Sequence, residues 1–303
     1  MILIIGATGL VGGLIARQLL QNRQDVRILV RPNSPYQPLV EAGAQPIFGD
    51  LKDPLSLAPA LAGIDTVVST ATAGQRSGKD TIDSVDLAGN QNLIDAVARA
   101  GVQQFIFVSA LGATPDSPVP LMRAKGMAEA RLRDSGIGYS ILALNGIMDV
   151  MLPWIVGGLA RTGQPVTLVG EGRRRHSWVA AADVAAFAVA AIGHLAAMNQ
   201  RLVIGGPEAV SWRDVVATYE RVLGRPISVQ TIAPGELLPN LPPVPGLADA
   251  LSSVMAFLET FDSPIEMAET ARTFGVRLTP LEGFVRQEMA SAPSPRPDGL
   301  AHA

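Results

Sequence analysis

The 303-residue chain contains no cysteine, which excludes disulfide staples, thiolate metal ligands and thiol nucleophiles, and leaves thiol usage silent about compartment. Its three histidines, His176, His194 and His302, stand too far apart for a zinc motif, and no HExxH spacing occurs, so no metal is expected. Charged residues make up 17% of the chain and the formal net charge is only −3. Nothing in that balance draws the chain toward polyanions, and nucleic acid is not an expected partner. No uninterrupted apolar run reaches the ~18 residues of a membrane span, and no membrane association is expected. An apolar run does open the chain at Ile2, but no charged segment precedes it and Gly6 interrupts it. That is unlike a secretory leader, and the expected compartment is the cytoplasm.

What is present is a large apolar fraction, 48%, enough for a sizeable core. The length suits one large α/β domain with a small appended lobe. Up to about residue 145, short β-branched runs alternate with segments of helical period, the pattern of parallel strands joined by crossover helices. Strands are expected at 2–5, 26–30, 45–48, 66–69, 105–108 and 139–142, and several are apolar throughout, as when helices cover both faces of a sheet. Helices are expected near 10–21, 35–42, 78–100, 121–135 and 147–161. Later, "GQPVTLVGEGRRRHSWV" reads as two short strands with a turn, and "AADVAAFAVAAIG" and "VSWRDVVATYERVLG" as helices. A further helix is expected near 247–260, after a Pro-rich loop. Asp183 reads as a first-turn or capping carboxylate, with a catalytic role as the alternative. The division is thus a core over 1–145, a mixed region over 146–291 that completes the core and forms a substrate lobe, and a disordered tail over 292–303.

Gly6, Gly9 and Gly12 form G-x-x-G-x-x-G where the first strand meets the first helix. Such a turn lets backbone approach a pyrophosphate without a Cβ in the way, while the helix N-terminus supplies free N–H donors. Gly6, Ala7, Thr8, Gly9, Leu10, Val11 and Gly12 are therefore the candidate phosphate loop. At the end of the second strand, where NAD-binding proteins place an acid for the ribose 2′-hydroxyl, this chain has Arg31. A guanidinium there clamps a 2′-phosphate, so NADP(H) is expected in preference to NAD(H); the alternative is a solvated charge at a strand end. Asp50 and Leu51, in "FGDL", read either as the adenine side of the site or as a turn. Ser69, Thr70 and Ala71 follow the fourth strand, where open α/β sheets bind ligands.

In order, "GATGLVG", "VRP", "FGDL", "VDLAGNQNLIDAVARAGVQQFIFVSALGA" and "RAKGMAEARLRDSGIGYSILALNG" resemble the atypical short-chain dehydrogenase/reductases of the NmrA-like and isoflavone-reductase-like group. The resemblance covers residues 1–192 and continues more loosely beyond. It implies a Rossmann-like, doubly wound parallel sheet with a small C-terminal substrate lobe, NADP(H) as cofactor, Lys125 as the active-site lysine, and Ser109 at the place of a catalytic Ser or Thr in extended relatives. The chain departs from the Y-x-x-x-K pair of many short-chain dehydrogenases: Leu121 stands four residues before Lys125, and the three tyrosines lie elsewhere. The isoflavone-reductase-like branch also works without that tyrosine.

Lys125 is one of three lysines, against 21 arginines. An ammonium titrates where a guanidinium does not, and in a dry pocket its pKa falls far enough for proton donation; the alternative is an ordinary helix lysine. Asn145, Met148, Trp154, His176 and Trp178 are candidates for an apolar pocket wall and read equally well as core. Arg173, Arg174 and Arg175 read as a solvated loop face. The leading expectation is an NADPH-dependent reductase of a small apolar carbonyl, quinone or activated double bond. A non-catalytic NADP(H)-binding redox sensor of NmrA type is the alternative, with epimerase or lyase chemistry third. The expected partner is a small-molecule substrate, and the expected assembly a monomer or homodimer.

Overall fold

The computed structural model describes residues 1–73, 80–239, 241 and 247–291. In chain order the elements are β1 (Ile2–Ile5), α1 (Leu10–Gln21), β2 (Val26–Val30), α2 (Gln37–Glu41), β3 (Gln45–Phe48), α3 (Leu57–Leu61), β4 (Thr66–Ser69), a π-helical stretch (Ile82–Gly89), α4 (Asn90–Ala100), β5 (Gln104–Ala110), α5 (Pro120–Arg133) and β6 (Gly138–Leu144). There follow α6 (Met148–Leu152), α7 (Gly158–Thr162), β7 (Val166–Val169), α8 (Ala181–Ala191), β8 (Gln200–Ile204), α9 (Trp212–Leu223), β9 (Val229–Ile232), α10 (Leu247–Leu258), α11 (Ala268–Phe274) and α12 (Leu281–Ala290).

Seven parallel strands run in the order β3-β2-β1-β4-β5-β6-β8. The order reverses between β1 and β4, so a crevice opens outside their carboxyl ends, where such sheets take ligands. Strand alternation divides the core. Leu3, Ile5, Val67, Phe105, Phe107 and Ile141 pack with Leu57 and Leu61 of α3, Leu93 and Val97 of α4, and Leu132 of α5. Ile4, Val68, Ile106 and Leu142 point the other way and are equally shielded. The alanine-rich α8 packs closely against α1, burying Ile15, Ala16 and Leu19 of α1 and Val184, Ala185 and Ala188 of α8.

The chain forms two compact units. One comprises residues 1–144, 181–204 and 270–276, and contains the seven-stranded sheet; the other comprises 145–180, 205–269 and 277–303. In the second, β7 and β9 pair in parallel, and an aromatic core gathers Trp178, Trp212, Tyr219, Met255 and Phe284.

Several expectations need correction. The two strands expected in "GQPVTLVGEGRRRHSWV" do not pair as a hairpin. Only Val166–Val169 forms a strand, and its partner is β9. Gly170 and Gly172, at φ +66° and +64°, turn the chain away, and His176 and Val179 make only isolated bridges to Val210, Ser263 and Ile147. The helix expected over 147–161 breaks into α6, a π-turn at Pro153–Gly157 and α7, because Pro153 supplies no N–H for a regular turn. The helix expected over 78–100 is described from Ile82, capped by Thr81 and Ser84, and is π-wound before Asn90. β8 was not anticipated: its residues, Gln200, Arg201, Leu202, Val203 and Ile204, carry a mixed polar pattern at the sheet edge. The expected tail lies outside the described residues. Asp183 is buried in the first turn of α8.

Candidate functional site

β1 ends at Ile5 and the chain turns at Gly6, whose φ is +82°. A side chain there is strained, and its Cβ would stand 2.6 Å from Thr70 Oγ1. The Gly9 N–H donates to the Gly6 carbonyl at 2.9 Å. At Gly12 a Cβ would fall 2.3 Å from that same oxygen, so the third glycine is what allows α1 to start against the turn. Gly9 is different: it is exposed, and a Cβ on it would meet only the Gly6 oxygen.

α1 starts with no side-chain cap and no acidic residue in its first turn. Its leading N–H groups and positive dipole end are left for an anion. Beside it lies a pocket lined by Gly6, Thr8, Arg31, Ser34, Asp50, Leu51, Ala71 and Asp80. Its donors and apolar walls match the chemistry of the pyrophosphate and adenosine of a dinucleotide. Of the other expected cofactor residues, Ala7 and Val11 are buried and Leu10 is exposed. Thr70 donates to the Ile5 carbonyl at 3.1 Å, and buried Ser69 donates to Asn90 Oδ1 at 3.1 Å. These two hydroxyls brace the switch point.

Arg31 is not free in the pocket. Its guanidinium pairs with Asp80 Oδ2 at 2.7 Å, and the Lys52 ammonium pairs with Asp80 Oδ1 at 2.6 Å. Asp50 serves the turn and the pocket together: its Oδ1 accepts from the Lys52 N–H at 2.9 Å, and its Oδ2 lies 3.8 Å from Lys52 Nζ. Sequence reasoning missed Lys52 and Asp80. Lys52 stood in plain view two residues beyond Asp50, but Asp80 lies 49 residues from Arg31 with no spacing rule to join them.

Lys125, from α5, is buried and donates to the Val108 carbonyl at 3.1 Å. Its Nζ lies 4.0 Å from Asp86 Oδ1 and 5.3 Å from the Phe107 ring centroid. Burial lowers its pKa from the ordinary lysine value, and the negative charges of Asp86 and Glu129 oppose that fall. Asp86 comes from the π-helical stretch, a backbone form often found at functional positions, and its Oδ2 accepts from the Ala73 N–H at 2.8 Å. Ser109, on β5, donates to Glu129 Oε1 at 2.6 Å, while Glu129 Oε2 takes Arg133 at 2.7 Å and Arg201 at 2.9 Å. The one proton of Ser109 is therefore committed, and its oxygen is left as an acceptor. Asp86 and Glu129 were also missed, being acids within helical patterns that ordinarily face solvent.

The expected pocket-wall residues fall in the second unit. Asn145 donates to the Ser263 carbonyl and hydroxyl at 3.0 Å. His176 is buried, with Nδ1 2.7 Å from Ser263 Oγ and its ring edge-on to Trp178. Burial lowers its pKa, against the opposing Leu258 carbonyl. Trp178 packs on Trp212 with centroids 5.1 Å apart, Met148 is buried, and Trp154 is half-buried against the same core. Arg173, Arg174 and Arg175 are exposed and pair with Glu171, Asp262 and Asp214. Among the described residues no three acidic or histidine side chains gather as a metal site, and no helix is long and apolar enough to cross a membrane.

A parallel sheet in this order, with a glycine turn at its first strand and an uncapped helix beyond, defines a Rossmann-type dinucleotide-binding protein. A family model described as NAD(P)H-binding matches residues 6–195, and the chain belongs to that family. It is 30% identical over 259 residues to an NAD(P)H azoreductase of Xenophilus azovorans, covering 84% of this chain and 86% of that protein. It is 32% identical over 231 residues to the photosystem II assembly factor Ycf39 of Cyanophora paradoxa, covering 76% and 71%. The NADPH-dependent quinone oxidoreductase QOR2 of Escherichia coli, solved with NADPH, superposes with a TM-score of 0.79 at 22% identity, over 95% of this chain and 100% of that one. The fold is that of the NmrA-like and isoflavone-reductase-like reductases.

Proposed function

We propose that the protein is an NADPH-dependent reductase of a small apolar carbonyl, quinone or activated double bond. The observation that carries this reading is Lys125, a cation buried at the end of β5 in the unit whose pocket suits a dinucleotide. The glycine turn and the α1 N-terminus would hold the pyrophosphate, Arg31 the 2′-phosphate, and Asp50, Leu51 and Ala71 the adenosine side. When bound, NADPH supplies the hydride. Lys125, its charge made costly by burial, gives the proton to the reduced substrate or holds the nicotinamide ribose. Ser109 contributes as an acceptor, its proton being held by Glu129. The NAD(P)H azoreductase relative supports a reductase.

The test is substrate-dependent NADPH oxidation across quinones, azo dyes, aldehydes and enones. Lys125→Met is expected to abolish turnover while NADPH still binds. Arg31→Ala is expected to weaken NADPH and spare NADH; equal affinity of the unaltered protein for both cofactors overturns the NADP(H) preference.

The Ycf39 relative favours a second reading, a non-catalytic cofactor-binding protein that acts through a partner. NADPH and NADP+ binding with no turnover of any substrate in the panel selects it.

A further inference from the structure

We propose that Asp80 is an exchangeable counter-anion at the ribose-phosphate position and that, together with Lys52, it sets how strongly the protein selects NADP(H) over NAD(H). This rests on the dinucleotide reading above. The Asp80 side chain is only 6% exposed, and each of its oxygens is held by a different cation, Arg31 at 2.7 Å and Lys52 at 2.6 Å. Two cations about one oxyanion, each on its own oxygen, is how a phosphate monoester is gripped. The carboxylate occupies the place of the phosphate in that arrangement.

Charge decides the consequence. Among the described residues, Arg31 and Lys52 face Asp80 and, 3.8 Å from Lys52, Asp50. A cofactor without a 2′-phosphate leaves those pairs intact. One with it brings about −1.5 to −2 charges at neutral pH, and Arg31 and Lys52 take hold of it only as Asp80 lets go. Releasing a shielded carboxylate from its ion pairs costs free energy, and that cost subtracts from what the two cations gain. Asp80 therefore narrows the NADP(H) preference that Arg31 creates. Lys52 widens it as a second, compact charge on the phosphate, in a chain with only three lysines against 21 arginines.

The experiment is calorimetric titration of the purified chain with NADPH, NADH, adenosine 2′,5′-bisphosphate and 5′-AMP. Asp80→Asn is expected to raise the ratio of the NADH to the NADPH dissociation constant at least fivefold, and to raise the ratio for the 5′-AMP and bisphosphate pair likewise. Asp80→Glu, which keeps the charge, stays near the unaltered ratio, and Lys52→Met lowers it at least fivefold. The proposal is overturned if Asp80→Asn weakens both members of each pair alike, or if Asp80→Glu matches Asp80→Asn. If Asp80→Asn shows no folding transition, Lys52→Met and Asp80→Glu decide, and an unchanged ratio in Lys52→Met overturns it. Failure of the unaltered protein to bind any of the four ligands overturns the dinucleotide reading itself. Binding of all four with ratios that no variant shifts overturns this proposal alone.

Discussion

Lys125 Nζ stands 4.0 Å from Asp86 Oδ1 with both side chains withdrawn from solvent. Asp86 and Glu129 offset the cost of burying this ammonium, and removing one partner of a buried pair typically costs about 3–5 kcal/mol. Asp86→Asn, which removes an offset to the buried ammonium, is accordingly expected to lose stability in urea unfolding, and the Lys125→Met/Asp86→Asn double variant to recover more than half of the loss. Burial, the largest influence on Lys125, lowers its pKa, so the unfolded chain binds this proton more tightly than the folded one. The group's contribution opposes folding below its folded pKa and fades as pH rises toward the ordinary lysine value. The double variant should show a flatter stability profile on the alkaline side.

Ser109 closes a buried network in which Glu129 holds Arg133 and Arg201. Ser109→Ala leaves Glu129 Oε1 without its donor, an unsatisfied buried acceptor worth about 1–3 kcal/mol. Ser109→Thr keeps the hydroxyl and is expected to lose less. Thermal unfolding of the two variants side by side measures the difference.

The glycines of the turn between β1 and α1 separate by what a Cβ would strike. Gly12→Ala drives a methyl to 2.3 Å from the Gly6 carbonyl oxygen, and forced packing of this kind costs about 1–3 kcal/mol. It is expected to lower both stability and NADPH affinity. Gly9 has extended backbone, φ −85° and ψ 173°, and open space on most sides. Gly9→Ala is expected to change stability by less than about 1 kcal/mol while weakening NADPH binding, because its methyl enters the space offered to phosphate. Paired melting curves and NADPH titrations distinguish the two.

In the second unit the Tyr219 hydroxyl donates to Glu288, and burial, the leading influence on each, raises both pKa values. A carboxyl whose folded pKa lies above its unfolded value stabilises at pH below the ordinary carboxylate range, and that stabilisation is lost as pH rises through the folded pKa. Glu288→Gln keeps an acceptor for Tyr219 without the ionisation. The difference in stability between the unaltered protein and Glu288→Gln is expected to shift in favour of the variant as pH rises from acid toward neutrality, measured by urea unfolding at a series of pH values. A difference that stays constant contradicts the placement of Glu288 in a dry site.

The first half of the fold was legible because its signals are local. β1, β2 and β4 are short, mainly apolar and buried runs ended by glycine or polar turns, and α1 follows the glycine turn directly. β8 was not legible: an edge strand buries only part of its length, and its residues carry no clean period. Nor was the partner of β7, because α8, β8 and α9 intervene before β9 and pairing is set by packing of the unit rather than by any turn.

The same division holds at the site. Sequence alone determined the glycine turn, since strand, glycines and helix are contiguous and Gly12 answers a steric demand of the Gly6 carbonyl a few residues before it. It placed Arg31 and Lys125 as the cations of interest. Only the tertiary structure decided what surrounds the site residues: Asp80 against Arg31 and Lys52, Asp86 beside Lys125, and Glu129 accepting the hydrogen bond of Ser109. The reason is physical. Covalent proximity shapes backbone turns, whereas the charge environment of a buried group depends on side chains from distant elements, brought within 2.6–4.0 Å by the closing of the sheet and its helices.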